Sequence, residues 1–596
     1  MKQIRLYYES LEQGYDYIRP IIESALKDDT EIVYVRRPKK YSELNPGAVS
    51  AILSMTTPDA LITGVSDDKE YPLVLIEFTE AVTTEDHELQ RTYGAIAAYL
   101  SNAYYLKLSG EKQSEKVFGG AKYNPYSTPK IFLEHVGYEG YIIANWDTED
   151  GNEYTLVRDS SIPSCPPRIR IFEDTIVQAI SAFLDNPSSW YKNSLVNLKT
   201  KESYQNYRDL VELATGKKEL TDSWRHRRDT NLNKLRYYVR EDFVAAKINR
   251  FGHAMDPDRG ILTFMSFLFS ETTKVYGIYA LVRPRGEEIM KIDLDSVATM
   301  NAKLEAALAH DNNGVPSWFA DELLSLARSA KSLDEVINIQ DIWEKNKNRV
   351  LDSKVVMTIA YFLDGLKLNH NGITFVWDKR KLLETKESNI MPAFSKKFQF
   401  GVISSPTPLK KVINVVDEDE VTYTIIHKVL IPNGFKIISV SYPGAQGGNA
   451  ILPDPTEGKA QKRIYIDTVA LPPADSGLDV LLNESKGMFA EKEVNDDVNK
   501  LSIFKTSRKH IDALQDSLVV AKVIDKDKKI SNIVIGVSFG TNDDTYTIWN
   551  PSTVDFIFRI VNRNKWAIGI FKQELKDAIR VIEGTTDFPL IHICNK

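Results

Sequence analysis

Cysteine is scarce in this chain, since only Cys165 and Cys594 occur among its 596 residues. Two distant cysteines build neither a disulfide-stapled scaffold nor a zinc finger. Long apolar runs are also missing, and no stretch approaches the ~20 apolar residues that span a bilayer. The segment 1–20 lacks the uninterrupted apolar core of a signal peptide. These absences favour a protein of the reducing cytoplasm, without a membrane partner.

An excess of positive charge is lacking as well, because the formal net charge is -7 and the pI is near 5.9. Any nucleic-acid site must therefore come from a local cluster of basic residues. Hydrophobic residues at 43% and charged residues at 26% are ordinary for a soluble globular protein. The length exceeds one ordinary core and predicts roughly three or four domains.

Hydrophobic periodicity divides the chain into three regions. Segments 31–35 and 72–78 are typical of strands, whereas 6–26 and 83–100 repeat apolar residues at helical spacing. A proline-rich stretch at 161–170 marks a boundary, after which helical periodicity dominates until strand-like runs return. The predicted fold class is α/β and α+β multidomain, with an α/β domain at 1–190, a mainly helical region at 191–395 and a second α/β domain at 396–596.

The stretch 463–487 combines strands with charged side chains. Two apolar β-runs are joined by the turn-forming sequence PPADSG, with Asp467 in the first run and Glu484 and Lys486 at the end of the second. Because side chains alternate along a strand, Glu484 and Lys486 share a face and Ser485 lies on the other. Two acids and one amine can therefore converge at one edge of a sheet.

This combination suits phosphodiester hydrolysis, which requires neutralising the charge on the phosphoryl oxygens and activating water. Carboxylates such as those of Asp467 and Glu484 can hold Mg²⁺, which lowers the pKa of a bound water. The helical segment 494–505 follows, and it could bring Asn495, Lys500 or Lys505 towards a phosphate.

The arrangement resembles the PD-(D/E)XK nuclease superfamily over roughly residues 395 to 560. The resemblance implies that Asp467 and Glu484 bind the metal and that Lys486 positions the attacking water. Ile466 stands where the proline of the family's name would be. Acid-x-Lys triplets also occur by chance, as in Asp352-Ser353-Lys354, so the position at the end of an apolar β-run carries the assignment.

A second, variant motif lies near the start of the chain. Pro58-Asp59 is followed, at a similar spacing, by Glu77 at the end of a strand, and the resemblance implies that Asp59 and Glu77 also bind a metal. Thr79 occupies the lysine position. Two interpretations are open. Either a residue outside the motif supplies the positive charge and the site is active, or the domain keeps the nuclease-like fold and has lost catalytic activity. The other residues considered are the cations Lys69, Lys107 and Arg91, with Gln90 beside Arg91, and the additional acids Glu9 and Glu12.

Two nuclease-like domains in one chain resemble bacterial restriction endonucleases that cut each strand of an asymmetric site with a separate domain. The helical middle would then hold double-stranded DNA through a basic helix with interleaved aromatic residues. A solvated basic helix explains the same pattern equally well. The candidate DNA-binding residues are Arg225, Arg227, Arg228, Lys234, Arg236 and Arg240.

The sequence therefore predicts a Mg²⁺-dependent, sequence-specific DNA endonuclease. No NTPase or methyltransferase motif is recognisable, so cleavage is expected to need no ATP, and protective methylation to come from a separate cognate methyltransferase. One alternative is a single-site nuclease that nicks or dimerises, with a degenerate N-terminal domain. Another is a non-catalytic DNA-binding protein of a defence system. The chemistry does not itself distinguish DNA from RNA.

Overall fold

Backbone and side chains are described by the computed structural model for most of both terminal regions, and a few strands are described by backbone alone. The ranges with side chains are 2–27, 29–37, 48–79, 91–108, 124–145, 165–216, 406–409, 416–440, 464–519, 523–541, 553–561 and 565–580, apart from a few internal positions. The strands without side chains are listed below.

The N-terminal region alternates strands and helices. Its strands are β1 (Gln3–Tyr8), β2 (Glu31–Arg36), β3 (Ala60–Ser66), β4 (Lys69–Thr79), β5 (Tyr104–Gly110) and β6 (Tyr141–Trp146). Its helices are α1 (a π-helical turn Glu12–Ile18 continued by Arg19–Ala25), α2 (Ala48–Met55), α3 (Thr92–Leu100) and α4 (Ser127–Val136). The helical periodicity expected from residue 6 was wrong at its start, because Leu6 and Tyr7 lie in β1.

These strands form one mixed sheet in the order β2-β1-β3-β4-β5-β6. β1, β3 and β4 pair antiparallel, whereas β5 and β6 continue parallel to β4. The sequence PLVLIEF explains why β4 is central, since an apolar run without alternation fits a strand that is covered on both faces. Leu73, Leu75 and Ile76 are fully buried.

Three further helices pack onto this sheet: α5 (Arg170–Asp185), α6 (Trp190–Leu198) and α7 (Glu202–Leu213). Phe183 of α5 lies against Gly64, where a β-carbon would approach its ring to 2.4 Å. Tyr207 of α7 donates a hydrogen bond to the carbonyl oxygen of Tyr141, 2.5 Å away. The packing of the N-terminal unit therefore continues beyond residue 190.

Strands account for all described residues between 235 and 387. They are β7 (Leu235–Arg240), β8 (Phe243–Ile248), β9 (Tyr279–Leu281), β10 (Met357–Phe362), β11 (Gly365–His370), β12 (Ile373–Asp378) and β13 (Lys381–Glu387). The first three form one sheet and the last four another. The expectation of helix was wrong for these segments. The segment 318–346, which carried that expectation, lies outside the described residues.

The C-terminal region again mixes strands and helices. Its strands are β14 (Leu409–Lys411), β15 (Lys436–Val440), β16 (Ile451–Pro453), β17 (Arg463–Tyr465), β18 (Thr468–Leu471), β19 (Val480–Lys486), β20 (Ile533–Gly540), β21 (Phe556–Asn562), β22 (Lys565–Ile570) and β23 (Ile591–Ile593). Its helices are α8 (Glu418–Ile425, continued by a π-helical turn Ile426–Leu430), α9 (Glu491–Thr506), α10 (Arg508–Val520) and α11 (Gln573–Ala578).

Six of these strands form a second mixed sheet in the order β15-β18-β19-β20-β21-β22. β18 is antiparallel to β15 and β19, and β20 and β21 continue parallel to β19. Two short strands, β14 and β23, extend the N-terminal sheet instead and bring it to eight strands. The chain is thus an α/β protein with two large mixed sheets, as the sequence predicts at that level.

Helix α8 lies between the two sheets. Its residues Val421 and Ile425 are fully buried and belong to the apolar cluster that contains the N-terminal core. The same cluster reaches Leu481 and Val534 of the C-terminal sheet. One continuous apolar core therefore joins the two units through α8. None of the helices in the part of the chain that the structure describes has the length and apolar character that crossing a bilayer requires.

Candidate active sites

The acids predicted near the C-terminus meet at the end of two neighbouring strands. Asp467 comes directly before β18, and the antiparallel register that pairs Thr468 with Asn483 places it opposite Glu484. The carboxylate oxygen Oδ2 of Asp467 accepts a hydrogen bond from the backbone amide of Ser485 at 2.8 Å. This bond fixes the Asp467 side chain beside the strand that carries Glu484.

Two lysines complete the cluster on the same side of β19. Lys500 of α9 lies 2.5 Å from Oε2 of Glu484 and 3.6 Å from Asp497. Lys486 lies 3.0 Å from the other oxygen of Asp497. Glu484 and Lys486 therefore share a face, as the alternation along the strand predicts. Lys505, the other lysine considered on this helix, pairs with Asp555 instead, at 2.7 Å.

Two further acids at this site are not evident from the motif. Asp497 lies three residues before Lys500 on a helix, a spacing that places both on one face. Glu418 is the first residue of α8, and its backbone nitrogen lies so close to Gly487 that a β-carbon there would be 3.0 Å away. Its carboxylate interacts electrostatically with Lys486 and Asp467. In the sequence, the run of acids at the start of α8 was the feature that could have indicated Glu418 as a site residue.

Burial and mutual repulsion set the protonation of these acids. Burial raises the pKa of the Glu484 carboxyl, and the nearby Asp467 raises it further. Burial also raises the pKa of Asp467, against the opposing effects of the Ser485 amide and the two lysines. Burial of Lys486 favours its neutral form, but the Asp497 carboxylate outweighs this and raises the lysine pKa. Lys486 therefore stays charged among acids that repel one another.

A divalent cation fits the chemistry of these donors. Oxygen Oε1 of Glu484 is buried without a hydrogen-bond partner. The cluster also holds four carboxylates, of residues 418, 467, 484 and 497, against two ammonium groups, so its ionised form carries excess negative charge. Within the described residues, however, no three acids, histidines or cysteines lie close enough together to hold a metal unaided. Lys500 lies between Glu484 and Asp497, where it screens their repulsion.

The N-terminal motif has the same relation between its two acids. Asp59 directly precedes β3, and the pairing of Ala60 with Ile76 places it opposite Glu77. The Asp59 carboxylate accepts a hydrogen bond from the backbone amide of Phe78, 2.6 Å away. In both sheets, therefore, an aspartate before one strand bonds to the amide that follows the glutamate of the next strand.

The cations around Glu77 come from other elements. Arg91, immediately before α3, lies 2.5 Å from Oε1 of Glu77. Lys107 is fully buried and occupies the β5 position paired with Glu77, and its charge, with that of Arg91, opposes the rise that burial causes in the pKa of that acid. Lys69, by contrast, is exposed at the opposite end of β4. The hydroxyl oxygen of Thr79 is buried without a hydrogen-bond partner. Among the three cations considered, Arg91 and Lys107 serve this site, and Gln90 lies outside the described residues.

Glu9 adds a third acid beside the pair. Its backbone amide bonds to the carbonyl oxygen of Asp59 at 2.9 Å, and its carboxylate pairs with Arg37. Glu12 instead contacts helix α8, and its carboxylate lies 2.7 Å from Nε2 of His427. Burial raises the pKa of both Asp59 and Glu77, and Glu77 raises that of Asp59 further. Glu9, rather than Glu12, therefore belongs to the N-terminal cluster.

The candidate DNA-binding residues are described only in part. Arg236 and Arg240 lie in strand β7, so the helix expected to carry them was wrong at these positions. The other four, Arg225, Arg227, Arg228 and Lys234, lie outside the described residues. Their contact with DNA stays a prediction.

Comparison with known proteins gives no relative for this chain. No family model matches it, and neither a curated protein nor a solved structure shows significant similarity.

Proposed function

We propose that this protein is a Mg²⁺-dependent DNA endonuclease of restriction type in which each terminal unit cuts one strand of the duplex. The observation that carries the proposal is the repeated pairing of acids. Asp59 with Glu77 and Asp467 with Glu484 occupy matching register positions in two separate sheets. Each aspartate is fixed by one backbone amide, at 2.6 Å from Phe78 and 2.8 Å from Ser485.

Burying two carboxylates side by side opposes folding unless a cation compensates them. The same costly arrangement in both sheets supports a role in holding a cation. A bound Mg²⁺ would polarise the phosphoryl group and lower the pKa of water. Asp467 and Glu484 would hold it in the C-terminal unit, and Asp59 and Glu77 in the N-terminal unit.

The cations of each site have separate roles in this proposal. Lys486, kept charged by Asp497, would orient the attacking water and offset charge on the phosphate. Lys107 would do the same in the N-terminal unit, because it is buried beside Glu77. Arg91, half-buried at the same carboxylate, would contact the phosphate.

A single-site nuclease is a second candidate, and one observation favours it. Thr79 occupies the position that matches Lys486, and its buried hydroxyl has no hydrogen-bond partner. If Arg91 neutralises Glu77 permanently, the N-terminal unit would bind DNA without cutting it. The protein would then nick duplex DNA or cut it as a dimer.

Cleavage of supercoiled plasmid, with and without Mg²⁺, tests the proposal. We expect wild type to give linear DNA and both Glu77→Ala and Glu484→Ala to give nicked circles. A linear product from Glu77→Ala would favour the single-site alternative. Plasmid that stays intact with wild type across a panel of sequences and methylation states would count against nuclease activity. RNA of the same sequences, tested in parallel, separates the two substrates.

A further inference from the structure

Two consecutive arginines at the end of β2 reach the two candidate sites. Arg36 extends from the N-terminal sheet to the C-terminal unit, where its guanidinium lies 2.6 Å from Asp419 and 2.5 Å from Asp417. Arg37 pairs with Glu9, which is bonded to Asp59 in the N-terminal cluster. One dipeptide therefore contacts the surroundings of both sites.

The acids that Arg36 holds flank Glu418. Asp417 caps α8 by accepting a hydrogen bond from the Glu420 amide at 3.0 Å. Asp419 also accepts a hydrogen bond from the backbone amide of Leu11 in the N-terminal unit, 3.1 Å away. The backbone nitrogen of Glu418 lies beside Gly487, which follows Lys486 in the chain, and its carboxylate interacts electrostatically with Lys486 and Asp467. Asp417 and Asp419, at the start of α8, are thus bound to the N-terminal unit, whereas Glu418 between them belongs to the C-terminal site.

The burial of this contact makes it specific. The side chain of Arg36 is 10% exposed and that of Asp419 is 2% exposed. A guanidinium can bind two carboxylates through separate nitrogens, whereas a shorter or neutral side chain leaves them without their shared cation. Enclosed acids that lose their cation move or take up a proton, and either change would shift the first turn of α8.

We propose that Arg36 is a positioning residue for the C-terminal site. It holds Asp417 and Asp419 so that Glu418 stays against Lys486 and Asp467, and the C-terminal site is complete only when the N-terminal unit is docked. This inference rests on the proposed metal-dependent function of that site.

The test is Arg36→Gln in two single-site proteins, Glu77→Gln and Glu484→Gln. In the Glu77→Gln protein, which keeps the C-terminal site, we expect Arg36→Gln to slow nicking and to weaken Mn²⁺ binding by about 10–100-fold, with KM for DNA unchanged. In the Glu484→Gln protein we expect neither quantity to change. Mn²⁺ binding is followed by electron paramagnetic resonance, which needs no turnover.

Arg5→Gln is the matched control. Arg5 is similarly buried, at 9% exposed, and it also bonds to a distant part of the chain, since it donates to the carbonyl oxygen of Thr407 beside β14 at 2.7 Å. It makes no described contact with either site. We expect Arg5→Gln to leave Mn²⁺ affinity at the C-terminal site unchanged.

Three results would overturn the inference: an equal loss in both single-site proteins, an equal loss with Arg5→Gln, or unchanged Mn²⁺ affinity after Arg36→Gln. A Glu77→Gln protein that binds no Mn²⁺ would overturn it too. If the Glu77→Gln protein binds Mn²⁺ but nicks no DNA, the proposed nuclease function fails. The Mn²⁺ affinities with and without Arg36→Gln still decide the role of Arg36 in that case.

Discussion

Asp467 is bonded through its carboxylate to the backbone amide of Ser485, the residue that follows Glu484 in β19. The bond occupies one carboxylate oxygen and keeps the side chain from turning away from Glu484. Repulsion between the two acids is therefore retained in the fold instead of being relieved by a change of rotamer. If the site binds Mg²⁺ as proposed, it is pre-organised for the cation, because the fold itself already brings the two acids together.

Asp467→Asn tests whether the charge of this residue matters beyond its hydrogen bond. Asparagine can still accept from the Ser485 amide, so we expect strand pairing and thermal stability to be kept. Loss of an anionic ligand should slow Mg²⁺-dependent nicking of one strand by about 100-fold or more. Strand-labelled duplex DNA measures this.

The control is Asp479→Asn, because Asp479 also accepts from backbone amides, those of Ser531 and Asn532, at the opposite end of β19. It should leave nicking unchanged. Equal activity of Asp467→Asn and wild type would contradict a catalytic metal at this position.

Lys107→Met tests the source of the N-terminal cation. Methionine keeps the volume of the buried side chain and removes its charge. If Lys107 replaces the lysine missing at Thr79, cleavage of the strand assigned to the N-terminal unit should fall by about 100-fold, while cleavage of the other strand is kept. Lys69→Met, exposed at the far end of the same strand pair, is the matched control. Loss of both cuts in Lys107→Met would indicate unfolding, which circular dichroism detects.

Lys486→Ala is expected to abolish cleavage of one strand while DNA binding is kept. The reason is that the Lys486 side chain contacts Asp497 and would act on the attacking water, whereas the pairing of β19 with β20 uses the backbone, which alanine keeps. Gel-shift and nicking assays on the same protein separate the two effects. Lys505→Ala, on the helix that carries Asp497 but paired with Asp555 instead, should behave as wild type. Unchanged cleavage of both strands by Lys486→Ala would remove this lysine from the mechanism.

The sequence predicts strands well where a local pattern determines them. The apolar run of β4 and the turn before β19 are enough to predict these two strands. Burial on two faces requires a continuous apolar run, and a short connection requires turn-forming residues. Leu6 and Tyr7 show the limit. They fit both a helical stripe and β1, and pairing with β3, about 55 residues away, decides between them.

The residues of the candidate sites also differ in whether a local sequence pattern could predict them. Asp467, Glu484 and Lys486 could be grouped because neighbouring strands bring them together. Glu418 and Arg36 could not, since their approach depends on how α8 docks between two sheets, and no local spacing encodes that contact. Lys107 is intermediate, because parallel pairing of β5 with β4 places it beside Glu77 only once the register is known.

The acids buried between the two units predict an unusual dependence of stability on pH. Burial raises the pKa of Asp16 to about 6 and that of Asp419 to about 7, in each case against the effect of a nearby cation. In the unfolded chain both titrate near 3.9, so the folded protein binds more protons between these values. The free energy of unfolding of the metal-free protein should therefore fall as pH rises from about 4 to 7, by up to about 1.4 kcal/mol per pH unit for each such carboxyl. His427 acts in the same direction, because Glu12 raises its pKa against the effect of burial and its favourable charge is lost as pH rises.

Urea unfolding in the presence of a chelator, at pH 5 and pH 7, measures this dependence. Asp16→Asn should reduce the slope, since one proton fewer is taken up on folding. Added Mg²⁺ should stabilise the protein more at pH 7 than at pH 5, because metal and protons compete for the acids of the two sites. Stability that rises from pH 5 to pH 7 without metal would show that Asp16 and Asp419 are ionised and compensated in the folded protein.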